Sequence, residues 1–224
     1  AWLREQVTLL VEAENGLKIE VDNLSADYLA SFTPGTIVSH LRYHRDHYEL
    51  IRQNALMLAE DAGDHWSVLV MSSDRPGLLA KICGVMTLNQ LEVVNAQIFT
   101  WSDGTVVEMI DVRPTETFDF EECDLQEINV DLNRAVNLRM GLGYRLYEKL
   151  KNSSGRRRDL IGSHEYRVEI DNQGSDDYSI IEVHAADHPG QLYRITQTLA
   201  DFGINIYKAF IATEVGQLID VFYI

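Results

Sequence analysis

Apolar residues along the chain follow a strand-like pattern and then a helix-like pattern, and this pair of patterns occurs twice. Apolar residues at every second position, which are typical of a strand, include Val68 and Val70 in the first copy and Ile181 and Val183 in the second. A segment with helical spacing follows each of them. Its matched positions are Leu79 with Leu192, Ile82 with Ile195 and Met86 with Leu199.

Each helical segment is followed by two further apolar stretches with a glycine turn between them. In the first copy the turn is Asp103-Gly104 and the second stretch is Val106 to Ile110. In the second copy the turn contains Gly216, and Leu218 to Phe222 follows it. Each copy is therefore predicted to fold as strand, helix, strand, turn, strand.

Residues after the first copy complete the prediction for that unit. Apolar spacing from Leu125 to Leu150 predicts one helix of about seven turns, with a local bend at Gly141 and Gly143. Alternation from Tyr166 to Ile170 then predicts a strand that closes a βαββαβ unit.

The second copy stops at Ile224, inside its third strand. Its closing helix and strand are either absent or replaced at that edge by another segment. An open strand edge at Ile224 would favour a homodimer.

A separate helical segment precedes the repeats. We predict a helix over residues 1–15, a second capped by Ser25, and a third that starts at Thr33-Pro34 and runs to about Glu60. On the third helix, three histidines share one face, where they could hold zinc or iron. These are His40, His44 and His47. Arginines interleave this face and one carboxylate is close in sequence, so a solvated or inter-domain face is expected instead of a metal site.

A hexapeptide marks the junction of strand and helix in both copies. It is Asp74-Arg-Pro-Gly-Leu-Leu79 in the first, and Asp187-His-Pro-Gly-Gln-Leu192 recurs 113 residues later. Proline suits a first helical turn, glycine allows close backbone approach, and aspartate can cap the helix. The free N–H groups of such a junction can also bind a carboxylate. A capped turn with no ligand is the alternative.

Composition narrows the possible partners. The 224 residues include 19 basic and 35 acidic side chains, for a net charge of −16, which opposes attraction to nucleic acid or to an anionic membrane. Cys83 and Cys123 are not spaced like metal ligands, and a chain with two cysteines suits a reducing cytoplasm. No apolar run is long enough for a membrane helix. The chain has no initiator methionine, so we expect a piece of a longer protein.

A βαββαβ unit with Asp-x-Pro-Gly at its first strand–helix junction resembles the ACT domain, a small-molecule-sensing module of amino-acid metabolism. The resemblance covers about 65–171 and 178–224. It implies an α+β fold of two ferredoxin-like βαββαβ units, the second truncated. We accordingly divide the chain into a helical segment, 1–63, and two ACT units, 65–171 and 172–224.

A tighter resemblance is to the C-terminal tandem ACT region of the family of bifunctional PII uridylyltransferase/uridylyl-removing enzymes. It is carried by the segments 187–192, 199–206, 209–213 and 218–222, and by Asn95 to Thr100. It implies a region that senses an amino acid, glutamine above all, and acts on the PII signalling protein through the parent enzyme. Catalytic domains that use Mg²⁺ would precede Ala1, and neither a catalytic site nor a cofactor is expected within this chain.

In ACT domains that bind amino acids, the ligand usually lies between two units, at the first strand–helix loop of one and the start of the second strand of the other. The resemblance thus points to Asp187, Gly190 and Gln191 in one loop and to Asn205 at the strand. It points also to the other loop at Asp74, Gly77 and Leu78. Because Glu92 replaces Asn205 in the first unit, we expect the second to contribute the better-matched half of the site.

Two alternatives stay open at this point. The chain could be a tandem ACT regulator of another enzyme or a stand-alone regulator. It could also be an interaction module whose Asp-x-Pro-Gly turns bind nothing.

Overall fold

The computed structural model describes residues 2–12, 21, 24–115, 125–153, 166–186, 188–214 and 217–224. Predictions that concern Asp187, Cys123 and residues 17–20 lie outside the described residues. Seven helices lie within the described ranges: α1 (Trp2–Glu12), α2 (Ala26–Ser31), α3 (Pro34–Gln53), α4 (Leu78–Leu88), α5 (Leu125–Val136), α6 (Leu142–Ser153) and α7 (Gln191–Asp201). The described strands are β1 (Leu56–Asp61), β2 (Trp66–Ser73), β3 (Leu91–Thr100), β4 (Thr105–Pro114), β5 (Arg167–Asp171), β6 (Ile180–Ala186), β7 (Lys208–Glu214) and β8 (Gln217–Tyr223).

All these strands form one antiparallel sheet in the order β1-β2-β4-β3-β7-β8-β6-β5. The order is symmetric about its centre, where β3 pairs with β7 and Ala96 lies opposite Ile211. Each half is one copy of the repeat, so the two units join edge to edge through their second strands. The α+β, ACT-like fold predicted from the sequence is confirmed.

The edge strands differ from the prediction. The strand at Arg167–Asp171 pairs with β6, so it belongs to the second half of the sheet and does not close the first unit. The equivalent place in the first unit is taken by β1, which pairs with β2. The open edge predicted at Ile224 is also wrong, because β8 is paired with β6 on one side and with β7 on the other.

Helix α3 ends at Gln53 and β1 starts at Leu56, whereas the sequence predicted one helix to about Glu60. The segment from Leu56 to Glu60 contains leucine, methionine, alanine and glutamate, which all favour helices. Pairing with β2 overrides that preference, and Asn54 ends the helix with an extended backbone (φ −131, ψ 169).

The single long helix predicted from Leu125 to Leu150 is two helices, α5 and α6. The break lies slightly before the glycines, and Leu138 adopts a left-handed conformation there (φ 56). The break turns α6 back so that it packs against α4, as α5 does.

Two layers of helices cover the sheet unequally. Helices α4 to α7 lie on one face and share a core with both units. Helices α1 to α3 lie on the opposite face, where they pack around Leu69, Met71 and Val107 of the first unit. Because β2 is buried on both faces, Val68 to Met71 is continuously apolar, whereas β6 alternates with Glu182 and His184.

The helix starts predicted at Ser25 and Thr33 are confirmed. The Ser25 hydroxyl accepts from the Tyr28 N–H at 3.1 Å, and the Thr33 hydroxyl accepts from the Thr36 N–H at 3.2 Å. In the part of the chain that the structure describes, no helix combines the length and the apolar character needed to cross a membrane.

Candidate functional site

The two Asp-x-Pro-Gly turns place a glycine, and not the aspartate, at the N-cap of the following helix. Gly77 (φ 69) precedes α4 and Gly190 (φ 80) precedes α7, and no side chain of the described residues caps either helix. Left-handed backbone at these positions favours glycine over other residues. The cap predicted for Asp74 is therefore wrong, and its backbone N–H donates instead to the carbonyl of Gly104 at 2.9 Å.

A cavity of about 40 Å³ lies between the two units, beside the first of these turns. One wall is the loop of the first unit, with Asp74, Gly77 and Leu78, and the other is the segment before β7, with Asn205. Helix α7 contributes Thr196 and Ala200, and the sheet contributes Ile98, Val106 and Glu108. The space is enough for about two or three water molecules.

The structure thus brings together some of the predicted residues and not others. Asp74, Gly77 and Leu78 from the first unit line one cavity with Asn205 from the second. Gly190 and Gln191 do not line that cavity. The site therefore combines the loop of the first unit with the strand of the second, which is the inter-unit pairing that the resemblance implied.

The symmetry-related turn, at Gly190, packs against helix α6. A Cβ built on Gly190 would lie 2.9 Å from Leu150 Cδ1 of α6 and 3.6 Å from Thr87 of α4. A Cβ built on Gly77 would meet Ala200 of α7 at 3.3 Å. The two turns therefore have different neighbours, which are α6 beside Gly190 and α7 beside Gly77.

Sequence reasoning missed Glu108, an acidic residue at the floor of the cavity. Its side chain is 1% exposed, and no described group forms a hydrogen bond with Oε2. Burial, and secondly the charge of Asp74, raises the pKa of Glu108 from 4.5 to about 8. The carboxyl group is therefore mostly neutral at pH 7.

The pattern of β4 contained the signal for Glu108. Alternation along the strand puts Glu108 on the same face as Val106 and Ile110, which are both buried. Asp220 occupies the matching position on β8 and is buried as well. An acidic residue on the core face of both copies is the feature that could have identified the position.

The three histidines of α3 form hydrogen bonds with three different partners. His40 Nδ1 shares a 2.8 Å hydrogen bond with the Tyr28 hydroxyl, and burial lowers the pKa of His40 to about 4. His44 Nε2 lies 3.0 Å from Thr105 Oγ1, and His47 Nδ1 lies 3.0 Å from the Tyr43 carbonyl. No group of three or more possible metal ligands occurs among the described residues.

A second cavity, about 180 Å³, lies on the opposite face of the sheet between α2 and the strands of the first unit. Its walls include Asn95 and Asp111, and the Asn95 amide already donates to the Asp111 carboxylate at 3.0 Å. The cavity is larger but does not lie between the units or beside either turn. Each cavity is lined by one residue with a buried oxygen that has no described hydrogen-bond partner, Glu108 in the smaller and Gln97 in the larger. The smaller cavity is the better candidate because it lies between the units and beside a turn.

Comparison with known proteins matches each unit separately. A family model described as "ACT domain" matches residues 179–224. A second model, described as "Plant bHLH transcription factor, ACT-like domain", matches residues 60–137. Both halves of the sheet thus show ACT-like sequence.

Relatives with similar sequence carry the name bifunctional uridylyltransferase/uridylyl-removing enzyme. The protein from Gluconobacter oxydans (strain 621H) is 33% identical over 156 residues, which is 69% of this chain and 16% of the relative. Those from Cereibacter sphaeroides and Rhodospirillum rubrum are each 30% identical, over 68% and 70% of this chain and 16% and 17% of the relatives. The chain spans about one sixth of the length of these relatives.

Proposed function

We propose that this chain, which is ACT-like in fold and resembles the ACT region of bifunctional uridylyltransferase/uridylyl-removing enzymes, is the amino-acid-sensing regulatory region of such an enzyme. The ligand we propose is glutamine. It would bind between the units and so bias the parent enzyme toward adding UMP to the PII signalling protein or removing it. The Mg²⁺-dependent chemistry would belong to other domains of the parent, in the cytoplasm.

The observation that carries the proposal is the cavity between the units. The Asp74–Gly77 turn, the start of α4 and Asn205 meet there. The first turn of a helix offers N–H groups suited to a carboxylate. Asp74 offers an acceptor for an ammonium group, and the Asn205 amide both donates and accepts hydrogen bonds. These are the partners that the charged ends and side chain of an amino acid need.

A thermal-shift screen of the twenty amino acids tests whether any of them binds. A ligand at one hundred times its dissociation constant should stabilise the fold by about 2.7 kcal/mol, which is readily detected. We expect glutamine to give the largest shift. The absence of a shift with every amino acid would instead favour a ligand-free interaction module, a function that the small size of the cavity, about 40 Å³, also fits.

Calorimetry on Asn205→Ala tests the position of the site. Asn205 is exposed, so the variant should keep the unfolding curve of the native chain and lose most of its affinity for glutamine. Glu92→Ala changes the matched position of the first unit and serves as the control. Unchanged glutamine affinity in Asn205→Ala would contradict the proposed site.

A further inference from the structure

Glu108 is a buried acid that lines the inter-unit cavity, whereas the equivalent buried acid of the second unit, Asp220, does not. Glu108 stands on the core face of β4, opposite Val70 of β2, and its Oε2 atom has no hydrogen-bond partner in the described part of the chain. A buried polar atom without a partner is costly, so native structures rarely keep one without a function. Because Glu108 lines the inter-unit cavity, a ligand group that enters the cavity can supply the partner.

The groups around Glu108 determine which ligand group fits. Among the described residues that line the cavity, Arg75 is the one cation. Its guanidinium is engaged elsewhere, donating to the Gln53 carbonyl at 2.9 Å and to Asn137 Oδ1 at 3.1 Å. Asp74 adds a negative charge at the loop. A second carboxylate on the ligand would therefore be buried beside the negative charge of Asp74, with no available cation to neutralise it.

A primary carboxamide meets the same surroundings without this penalty. A protonated carboxyl group has one donor and an acceptor, and an amide presents the complementary acceptor and donor, so the two groups can form a pair of hydrogen bonds. A carboxamide has three non-hydrogen atoms, which is the scale of a cavity of about 40 Å³. The charged ends of the ligand would then remain at the mouth, beside Asp74 and the start of α4.

We propose that Glu108 determines the specificity of the inter-unit site by pairing its carboxyl group with a primary carboxamide of the ligand, so that the site takes glutamine in preference to glutamate. The inference rests on the proposed function, because it assigns a role within the same site. It adds the residue that distinguishes the amide from the acid.

The pairing makes binding depend on pH, since Glu108 must keep its proton to donate. With a pKa of about 8, the affinity for glutamine should fall about fourfold between pH 6.5 and 8.5. The charged groups of the loop beside Glu108 are Asp74 and Arg75. The titratable group of α4 that faces Glu108 is the Cys83 thiol, and it does not reproduce this pH dependence because burial raises its pKa well above 9.0. The lining residues of α7 and β3, which are Thr196, Ala200 and Ile98, do not titrate.

Calorimetry with glutamine and glutamate on the full chain tests the assignment. We expect native protein to prefer glutamine on the order of 30-fold and to show the fourfold decrease with pH. Glu108→Gln should bind glutamine with an affinity that no longer changes with pH, because its amide can pair but does not titrate. Glu108→Leu should lose affinity on the order of 10-fold or more, and circular dichroism would check that it folds.

Asp220→Asn provides the matched control, since Asp220 is the equivalent buried acid of the second unit and does not line the cavity. It should keep the selectivity and pH dependence of the native chain. Two outcomes would overturn the role of Glu108 and leave the proposed function standing, provided that glutamine binds. In the first, Glu108→Gln keeps the native pH dependence and the native preference for glutamine. In the second, Asp220→Asn loses that pH dependence and preference. If no amino acid binds the native chain, the proposed function fails, and this inference fails with it.

Discussion

Replacing Glu108 with glutamine should change how the stability of the chain depends on pH, whether or not a ligand binds. Glutamine has nearly the same size and hydrogen-bonding reach as a neutral glutamic acid but does not ionise. Glu108 is 1% exposed, and its pKa rises from 4.5 to about 8 in the folded chain. The folded state therefore holds a proton that the unfolded state releases.

The sign and size follow from this difference in proton binding. Between pH 4.5 and about 8 the folded chain binds more protons than the unfolded chain, so the free energy of unfolding decreases as pH rises. The stabilisation that comes from the proton on Glu108 is complete below pH 4.5 and is lost by about pH 8. The whole shift corresponds to about 5 kcal/mol, at roughly 1.4 kcal/mol per pH unit. Between pH 5 and 7.5 the loss should be about 3 kcal/mol.

Urea unfolding of the native chain and Glu108→Gln at pH 5 and pH 7.5 measures the effect. The comparison between the two proteins matters because His40 acts in the opposite direction: its pKa is lowered from 6.5 to about 4, so its contribution to stability increases as pH rises through that range. Both proteins contain His40, so its effect on the free energy of unfolding is the same in both and drops out of the difference between them. The variant should gain about 3 kcal/mol relative to the native chain on going from pH 5 to 7.5. A difference that stays constant between the two pH values would refute the raised pKa of Glu108.

Three further predictions concern other parts of the fold. Gly77→Ala should lower the free energy of unfolding, measured in urea, by about 1 to 2 kcal/mol. The loss should be larger than for Gly104→Ala, because Gly104 has a similar φ (81) but open space at its Cβ position. Equal losses in the two variants would show that the contact with Ala200 costs nothing. Tyr28→Phe should cost about 1 to 2 kcal/mol in the same assay, since it removes the buried 2.8 Å hydrogen bond to His40; an unchanged midpoint would contradict this role. Calorimetric titration of the native chain with glutamine should give one site per chain, because Leu150 lies against Gly190 at the turn of the second unit; a stoichiometry of two would show that this turn also binds the ligand.

Sequence patterns predicted the elements whose residues are set by local chemistry and by burial on one face. The Ser25 and Thr33 caps and the repeated strand–helix–strand order were predictable because cap residues and apolar spacing act within a few positions. Strand β1 was not, because its leucine, methionine and alanine residues favour a helix and only pairing with β2 holds them extended. Strand β5 was predicted as a strand, but its pairing with β6 was not, because the choice of partner is a matter of topology that periodicity does not encode.

For the candidate site, sequence reasoning singled out both turns and Asn205 but not which of the two turns lies beside Asn205. The two loops are nearly equivalent in sequence, and what separates them in the structure is α6, a helix whose position depends on the break near Leu138. Glu108 was missed because an acid between two apolar residues of a strand, here Val107 and Met109, is usually taken as an outward-facing residue. Only its register beside buried Val106 and Ile110 shows that it faces the core.

The inequality of the two related positions follows from where α6 lies. Joining the units through β3 and β7 would give two similar positions, each made of one unit's turn and the other unit's second strand. Helix α6 packs against α4, and its Leu150 lies against Gly190, whereas the turn at Gly77 lies beside the inter-unit cavity. That cavity is also the one that Glu108 lines. An acid can keep its proton there because the cavity is closed on three sides by the loop, α7 and the sheet.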